Sequence, residues 1–213
     1  MKQYRPTRDL LHVSGLLLTG DTLDVFVCHF PSRSGGAKES ESYRLYAAHI
    51  LRMEVDSIMS IRSLPQVIIM GDFNDYPTNQ SIQKILEAEA PPVTTNNLAS
   101  TTGSTNFSTV APSSLKLYHL LARKAKSKDF GSYKYRGEWG LLDHLIVSGT
   151  LLNQSNHFFT SEEKANVCLL PFLLKDDEKY GDKEPFRTYK GMKYQGGVSD
   201  HLPIYADFEL ILY

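Results

Sequence analysis

Three short stretches carry residue types suited to hydrolytic chemistry: Gly71-Asp72-Phe73-Asn74-Asp75, Leu142-Asp143-His144 and Ser199-Asp200-His201. Each adjoins a run of strand-forming residues, so side chains far apart in the chain can meet at the ends of neighbouring strands. A fourth element, His29, follows the apolar run 25–28. Carboxylates, an amide and imidazoles without a nucleophilic Ser or Cys motif point to metal-assisted attack by water on a charged ester.

Hydrolysing a phosphate ester requires an in-line water, charge neutralisation on the phosphoryl oxygens and help for the departing alkoxide. Asp72, closing a buried strand, is placed to orient and deprotonate the water. A carboxylate is a weak base at neutral pH, so it works by positioning and by a nearby metal lowering the water's pKa. Asn74 offers a neutral amide to a phosphoryl oxygen, where a second carboxylate would repel the anion. His201 can donate to the oxyanion or protonate the leaving group, and Asp200 is expected to contact the metal or its bound water. Taken singly, these motifs have a plainer reading: Asp-Phe-Asn-Asp and Ser-Asp-His are also turns whose side chains cap backbone groups. Their order and strand context join them.

The loop Ser32-Arg33-Ser34-Gly35-Gly36 reads two ways: Arg33 and the backbone amides could hold a phosphate, or the loop is solvated. His12, His49, His119 and His157 lack metal-type spacing and read as surface or packed side chains. His144 sits beside Asp143 on an extended run and so faces the other way. Trp139 and Tyr135 read first as core aromatics, and second as surfaces for stacking on a base.

These residues need elements to position them. The pattern predicts a strand over 9–18, a turn at 19–22, and a second strand over 23–30. Apolar Leu45, Ala48, Leu51, Val55, Ile58 and Met59 recur at helical spacing from 42 to 62, and Pro65 ends that helix. Residues 67–70 form an apolar strand of the kind buried on both faces. Thr78 is the expected N-cap of a helix carrying Ile82, Ile85 and Leu86. A surface excursion spans 90–114, followed by a short helix over 115–125 and strands at 133–135, 141–148 and 167–174. A charged loop covers 175–184, and a last strand runs through 202–212. Strands alternating with helices, then strand-rich hairpins, suggest one layered α/β domain over residues 1–213.

His29, Gly-Asp-Phe-Asn, Leu142-Asp143 and Ser199-Asp200-His201 together resemble the later motifs of the endonuclease/exonuclease/phosphatase superfamily, which has the DNase-I-like fold. His29-Phe30-Pro31-Ser32-Arg33-Ser34-Gly35-Gly36, Gly137-Glu138-Trp139, and Arg187-Thr188-Tyr189 leading to Gly196-Gly197 further resemble a bacterial branch of it. The resemblance implies a four-layer α/β/β/α sandwich and a phosphoesterase hydrolysing a phosphodiester or phosphomonoester. Nucleic acid, a phosphorylated metabolite or a lipid headgroup would serve as substrate. It also implies that Asp143 holds the far nitrogen of the His201 ring, and that His29 supplies a second imidazole. Oxygen-rich ligands suit Mg²⁺ or Mn²⁺ rather than zinc.

Family members open with a strand ending in a metal-site Asn, followed by a metal-binding Glu. The 28 residues before His29 do not form that pattern, so the chain reads as N-terminally shortened. On that reading it should hold Mg²⁺ weakly, be nearly inactive by itself and self-associate through an exposed sheet edge. The alternative is a catalytically inactive or partner-dependent remnant acting as a binding module.

At 213 residues the chain can bury a substantial core, and 41% hydrophobic with 22% charged residues is ordinary for a globular domain. With 23 basic and 24 acidic side chains, no electrostatic nucleic-acid footprint stands out, and charge does not choose the substrate. Cys28 and Cys168 read as buried thiols rather than a disulfide. Residues 1–6 lead into no apolar signal segment and no apolar run spans a membrane. A missing N-terminus could have carried a signal, so localisation stays open.

Overall fold

A computed structural model describes residues 8–93 and 112–212. The chain opens with an antiparallel hairpin, β1 (Leu11–Leu16) and β2 (Thr22–His29). Helix α1 (Glu41–Ile61) then crosses over to β3 (Gln66–Asp72), which lies parallel to β2. α1 buries Ala47, Ala48, Leu51, Val55 and Met59 along one stripe, together with Arg44, which the apolar spacing alone did not single out. It stops ahead of Pro65, whose ring disfavours helical geometry in the residue before it.

β4 (Leu117–His119), β5 (Tyr133–Tyr135), β6 (Glu138–Gly140) and β7 (Asp143–Ser148) follow. The central sheet has the order β1-β2-β3-β7-β4, with β7 antiparallel to both its neighbours. The remaining elements are two-stranded ladders. β8 (Phe158–Phe159) pairs with β15 (Glu209–Leu210), and β9 (Ala165–Val167) with β14 (Ile204–Ala206). β10 (Leu174–Asp176) and β11 (Lys183–Pro185) make one hairpin, β12 (Tyr189–Lys190) and β13 (Lys193–Tyr194) another.

This is a mixed α/β, sheet-rich chain, as expected. β3 shows why: Val67 and Ile69 pack with Leu51 and Val55 of α1, while Ile68 joins Leu145, Val147, Ala165 and Leu202 on the opposite face. Burial on both faces explains the uninterrupted apolar run. α1, the five-stranded sheet and the facing ladders thus supply one helix layer and two β layers.

Several sequence expectations shift. The helix expected over 115–125 is instead β4 followed by a 3-10 turn (Lys124–Lys126), because Leu117, Tyr118 and His119 are all buried against β7. A short apolar run does not distinguish strand from helix. Pro171 opens a 3-10 turn that splits the 167–174 strand into β9 and β10. The last strand divides into β14 and β15, on different partners. The helix after Thr78 is one π-type turn (Ser81–Ile85), and it is Asn79 that organises its entry: Oδ1 accepts the Tyr76 N–H at 2.6 Å. Most of the expected 90–114 excursion lies outside the described residues. Cys28 and Cys168 are both free thiols. Cys28 is buried on β2, which pushes its thiol up to about 12, whereas Cys168 is only half-buried and just beyond β9.

Gly71 is fixed by close approach. Its φ is +132°, and a Cβ there would fall 1.9 Å from the Cys28 carbonyl oxygen on β2. Only glycine lets β3 turn this tightly against β2 one residue before Asp72.

Candidate active site

The sheet register gathers the chemistry. His29 ends β2 directly beside Asp72, the last residue of the parallel β3. Asp72 in turn faces Asp143, the first residue of the antiparallel β7. One imidazole and two carboxylates therefore stand in a row across three strand ends, with His29 Nε2 3.5 Å from Asp72 Oδ2.

His201 arrives from the far end of the chain through a bridge to Tyr133, and the Leu202 N–H donates to the Ser132 carbonyl at 2.7 Å. Its Nδ1 lies 2.7 Å from Asp143 Oδ2, which also accepts the Ser132 hydroxyl at 2.5 Å. That carboxylate fixes the ring tautomer and leaves Nε2 as the free nitrogen. The Tyr133 ring packs on the imidazole with centroids 4.9 Å apart, and the Arg187 guanidinium rests on Tyr133 at 5.2 Å. Burial by itself disfavours the imidazolium, but the Asp143 hydrogen bond and charge, with Asp72 and Asp200, outweigh it and raise the His201 pKa.

Asp72 is held as closely. Its Oδ1 accepts the Asn74 backbone N–H at 2.8 Å, and its Oδ2 accepts Asn74 Nδ2 at 3.0 Å. Asn74 Nδ2 also donates to the Phe30 carbonyl at 3.1 Å, so both amide hydrogens are engaged. As placed, Asn74 orients Asp72; donation to a phosphoryl oxygen requires exchanging one of these partners. Its φ of +50° is a left-handed conformation that Asn tolerates better than most residues. Burial raises the Asp72 pKa, with Asp143 adding to the rise; the Asn74 hydrogen bond, His201 and His29 oppose it.

All seven site residues expected from the sequence, His29, Arg33, Asp72, Asn74, Asp143, Asp200 and His201, line one cavity of about 910 Å³. Arg8, Tyr76 and Tyr133 line it too and carried no motif signal. Tyr135 also lines it, whereas Trp139 packs into the core beyond. His144 faces away from the cavity, as strand alternation requires.

Behind the cavity lies a buried polar network. Arg44 Nε is 2.7 Å from Asp75 Oδ1, and its two Nη atoms donate to Ser40 Oγ and the Ala37 carbonyl, each at 2.7 Å. Asp75 Oδ2 accepts the Ser81 hydroxyl, and the Asp75 carbonyl accepts His144 Nε2 at 2.8 Å. His144 Nδ1 lies 2.5 Å from His119 Nε2, while His119 Nδ1 accepts the Leu121 N–H. That order of donors and acceptors is satisfied with both rings neutral. Burial accordingly lowers His119 well below its usual pKa, and His144 to about 4. Asp75 was legible as part of the motif; the roles of Arg44 and His119 were hidden because Asp75 and His144, which they meet, are distant in sequence.

Among the described residues, one group could hold a metal ion: Asp72, Asp143 and His201, with ligand atoms within 4.8 Å of one another. The donors fit a hard cation. Two facing carboxylates supply anionic oxygen, and their mutual repulsion in a half-buried cleft is what a bound cation relieves. Asp200 stands exposed at the rim of the same cavity, outside that trio. Among the described residues, no helix is long and apolar enough to cross a membrane.

The model of the Endonuclease/Exonuclease/phosphatase family matches residues 2–210. No curated protein matches the chain. Among solved structures it is similar to a mannosyl-6-phosphatase of Bacteroides thetaiotaomicron VPI-5482, at 14% identity and a TM-score of 0.48, covering 89% of this chain and 52% of that one. It is similar to humanized D. rerio TDP2, at 13% identity and a TM-score of 0.49, covering 94% and 60%. The catalytic domain of human Nocturnin shares 18% identity at a TM-score of 0.43, covering 97% and 60%. The chain thus spans a little over half the length of these structures.

Proposed function

Since the chain belongs to the Endonuclease/Exonuclease/phosphatase family, we propose that it is a phosphoric ester hydrolase using water and a divalent cation, Mg²⁺ or Mn²⁺. The observation that carries this reading is the apposition of Asp72, Asp143 and His201 at adjoining strand ends. A cation there would be held by the carboxylates of Asp72 and Asp143, with Asp200 reaching it from the rim, and would supply charge neutralisation and a more acidic water.

The chain's own groups complete the chemistry. Asp72, oriented by Asn74, accepts the proton of the attacking water. His201, held by Asp143 and with its pKa raised, presents a proton on Nε2 to the phosphoryl oxygen or the leaving group. His29 adds a second imidazole beside Asp72, and Arg33 binds substrate anion. The substrate is a phosphodiester or phosphomonoester, nucleic acid included.

The deciding experiment is hydrolysis of bis(p-nitrophenyl) phosphate and p-nitrophenyl phosphate by the 213-residue chain with Mg²⁺ or Mn²⁺. Turnover, however slow, that disappears with chelator and in Asp72→Asn supports the reading. Turnover that survives either, or no turnover with either ester and either metal, overturns it for this chain.

The same reading includes self-association. β1 is exposed along its whole length at the sheet edge, and Leu11 and Val13 lie across from Val27 and Val25 on the face away from α1. A second copy pairing there would cover an edge that carries no charged residue within the strand.

A further inference from the structure

Two guanidiniums line the cavity without serving the carboxylates or the proton-transfer groups: Arg8, which donates to the Phe30 carbonyl at 3.4 Å, and Arg33. Arg33 lines it, yet among the described residues no carboxylate forms an ion pair with this guanidinium. Its Nε is buried with no hydrogen-bond partner. A guanidinium at a cavity wall with no carboxylate beside it is suited to pairing with an anion that enters the cavity.

Arg33 is also held in place. Its guanidinium carbon sits 4.6 Å over the Tyr76 ring. That ring lies against the backbone of Gly140, where a Cβ would come within 2.7 Å of Tyr76 Cε1. The loop itself is tied down from below: the Gly36 N–H donates to the Arg33 carbonyl, Ser40 Oγ donates to Gly36, and buried Arg44 holds Ser40 and Ala37. Stacking orients the planar guanidinium at the cavity wall, which suits two-pronged recognition of an oxyanion rather than simple charge attraction.

We propose that Arg33 on its Tyr76–Gly140 platform is a subsite for a second oxyanion of the substrate, distinct from the ester held at Asp72 and His201. The preferred substrates are therefore esters bearing an additional phosphate or similar anionic group. This rests on the phosphoesterase reading of the same cavity and narrows its substrate class.

The test is calorimetric binding of pyrophosphate against inorganic phosphate, and of propanediol bisphosphate against propyl phosphate, to the full chain with and without Mg²⁺. At least one ligand with two phosphate groups should bind the unaltered protein about tenfold more tightly than its one-phosphate counterpart, the scale of one charge-assisted hydrogen-bonded pair. Arg33→Ala should abolish that preference with little change for the one-phosphate ligand. Arg33→Lys, which keeps the charge but not the fork, should restore only part of it, and Tyr76→Ala should reduce it. No preference in the unaltered protein, an equal loss for both ligands in Arg33→Ala, or full restoration by Lys would overturn the subsite. Failure of the parent reading looks different: selective binding would persist while Asp72-dependent turnover was missing. Turnover with an unchanged preference in Arg33→Ala would remove the subsite alone.

Discussion

Asp72 and Asp143 face each other across the β3–β7 ladder, although 71 positions separate them in the chain. The pairing puts a carboxylate held by Asn74 beside one held by Ser132 and His201. Under the proposed mechanism the two acids take different tasks: Asp72 accepts a proton, and Asp143 keeps one on its neighbour.

Removing the first acid should be severe. Asp72→Asn is expected to lower kcat by at least ~100-fold, the scale of losing a positioned base. Steady-state rates on bis(p-nitrophenyl) phosphate check it, and near-normal turnover would remove Asp72 from the role assigned here.

Asp143→Asn should change the pH dependence more distinctively than the maximum rate. Because Asp143 helps raise the His201 pKa, the protonated ring survives to higher pH than a free imidazole. Activity that needs this proton falls as pH rises through that pKa. In Asp143→Asn the descending limb should move to lower pH, with kcat less affected than in Asp72→Asn. A limb that stays in place would detach His201 from it.

The buried histidine pair predicts acid sensitivity of the fold. The His144 pKa falls from 6.5 to about 4, and that of His119 falls as well. Below 6.5 the unfolded chain takes up protons that the folded rings refuse, so stability is lost as pH falls from about 6.5 towards 4. The loss is progressive across that window. Urea midpoints at successive pH values measure it, and His144→Phe should flatten the slope. An unaltered slope in that variant would place the sensitivity elsewhere.

Arg44→Leu should destabilise strongly, because it strands the Asp75 carboxylate in the interior without its guanidinium. Breaking a buried pair from one side costs roughly 3–5 kcal/mol. Thermal unfolding gives the loss, and Arg44→Leu with Asp75→Leu should recover part of it. A single variant as stable as the parent would show that the pair contributes little.

Val13→Lys places a charge in the exposed row of β1. It should shift the chain towards monomer in sedimentation without altering the helical signal, since edge charges block strand addition. Association unchanged by the substitution would point away from this edge.

The chain alone determined what depends on neighbours in sequence. Apolar spacing placed α1 within a residue or two, the run at 67–70 placed β3, and the motifs named the acids, imidazoles and Arg33 that line the cavity. Its failures came where distant partners decide. Leu117–His119 became a strand because β7 lay beside it, and Pro171 split a run that looked continuous. Register across β2, β3 and β7 put His29, Asp72 and Asp143 in one row, and with no tight turn joining these strands it is the packing of their buried faces that sets it. Arg44 shows the same limit: a charge on a helix's buried face is legible only once Asp75, 31 residues away, is folded against it.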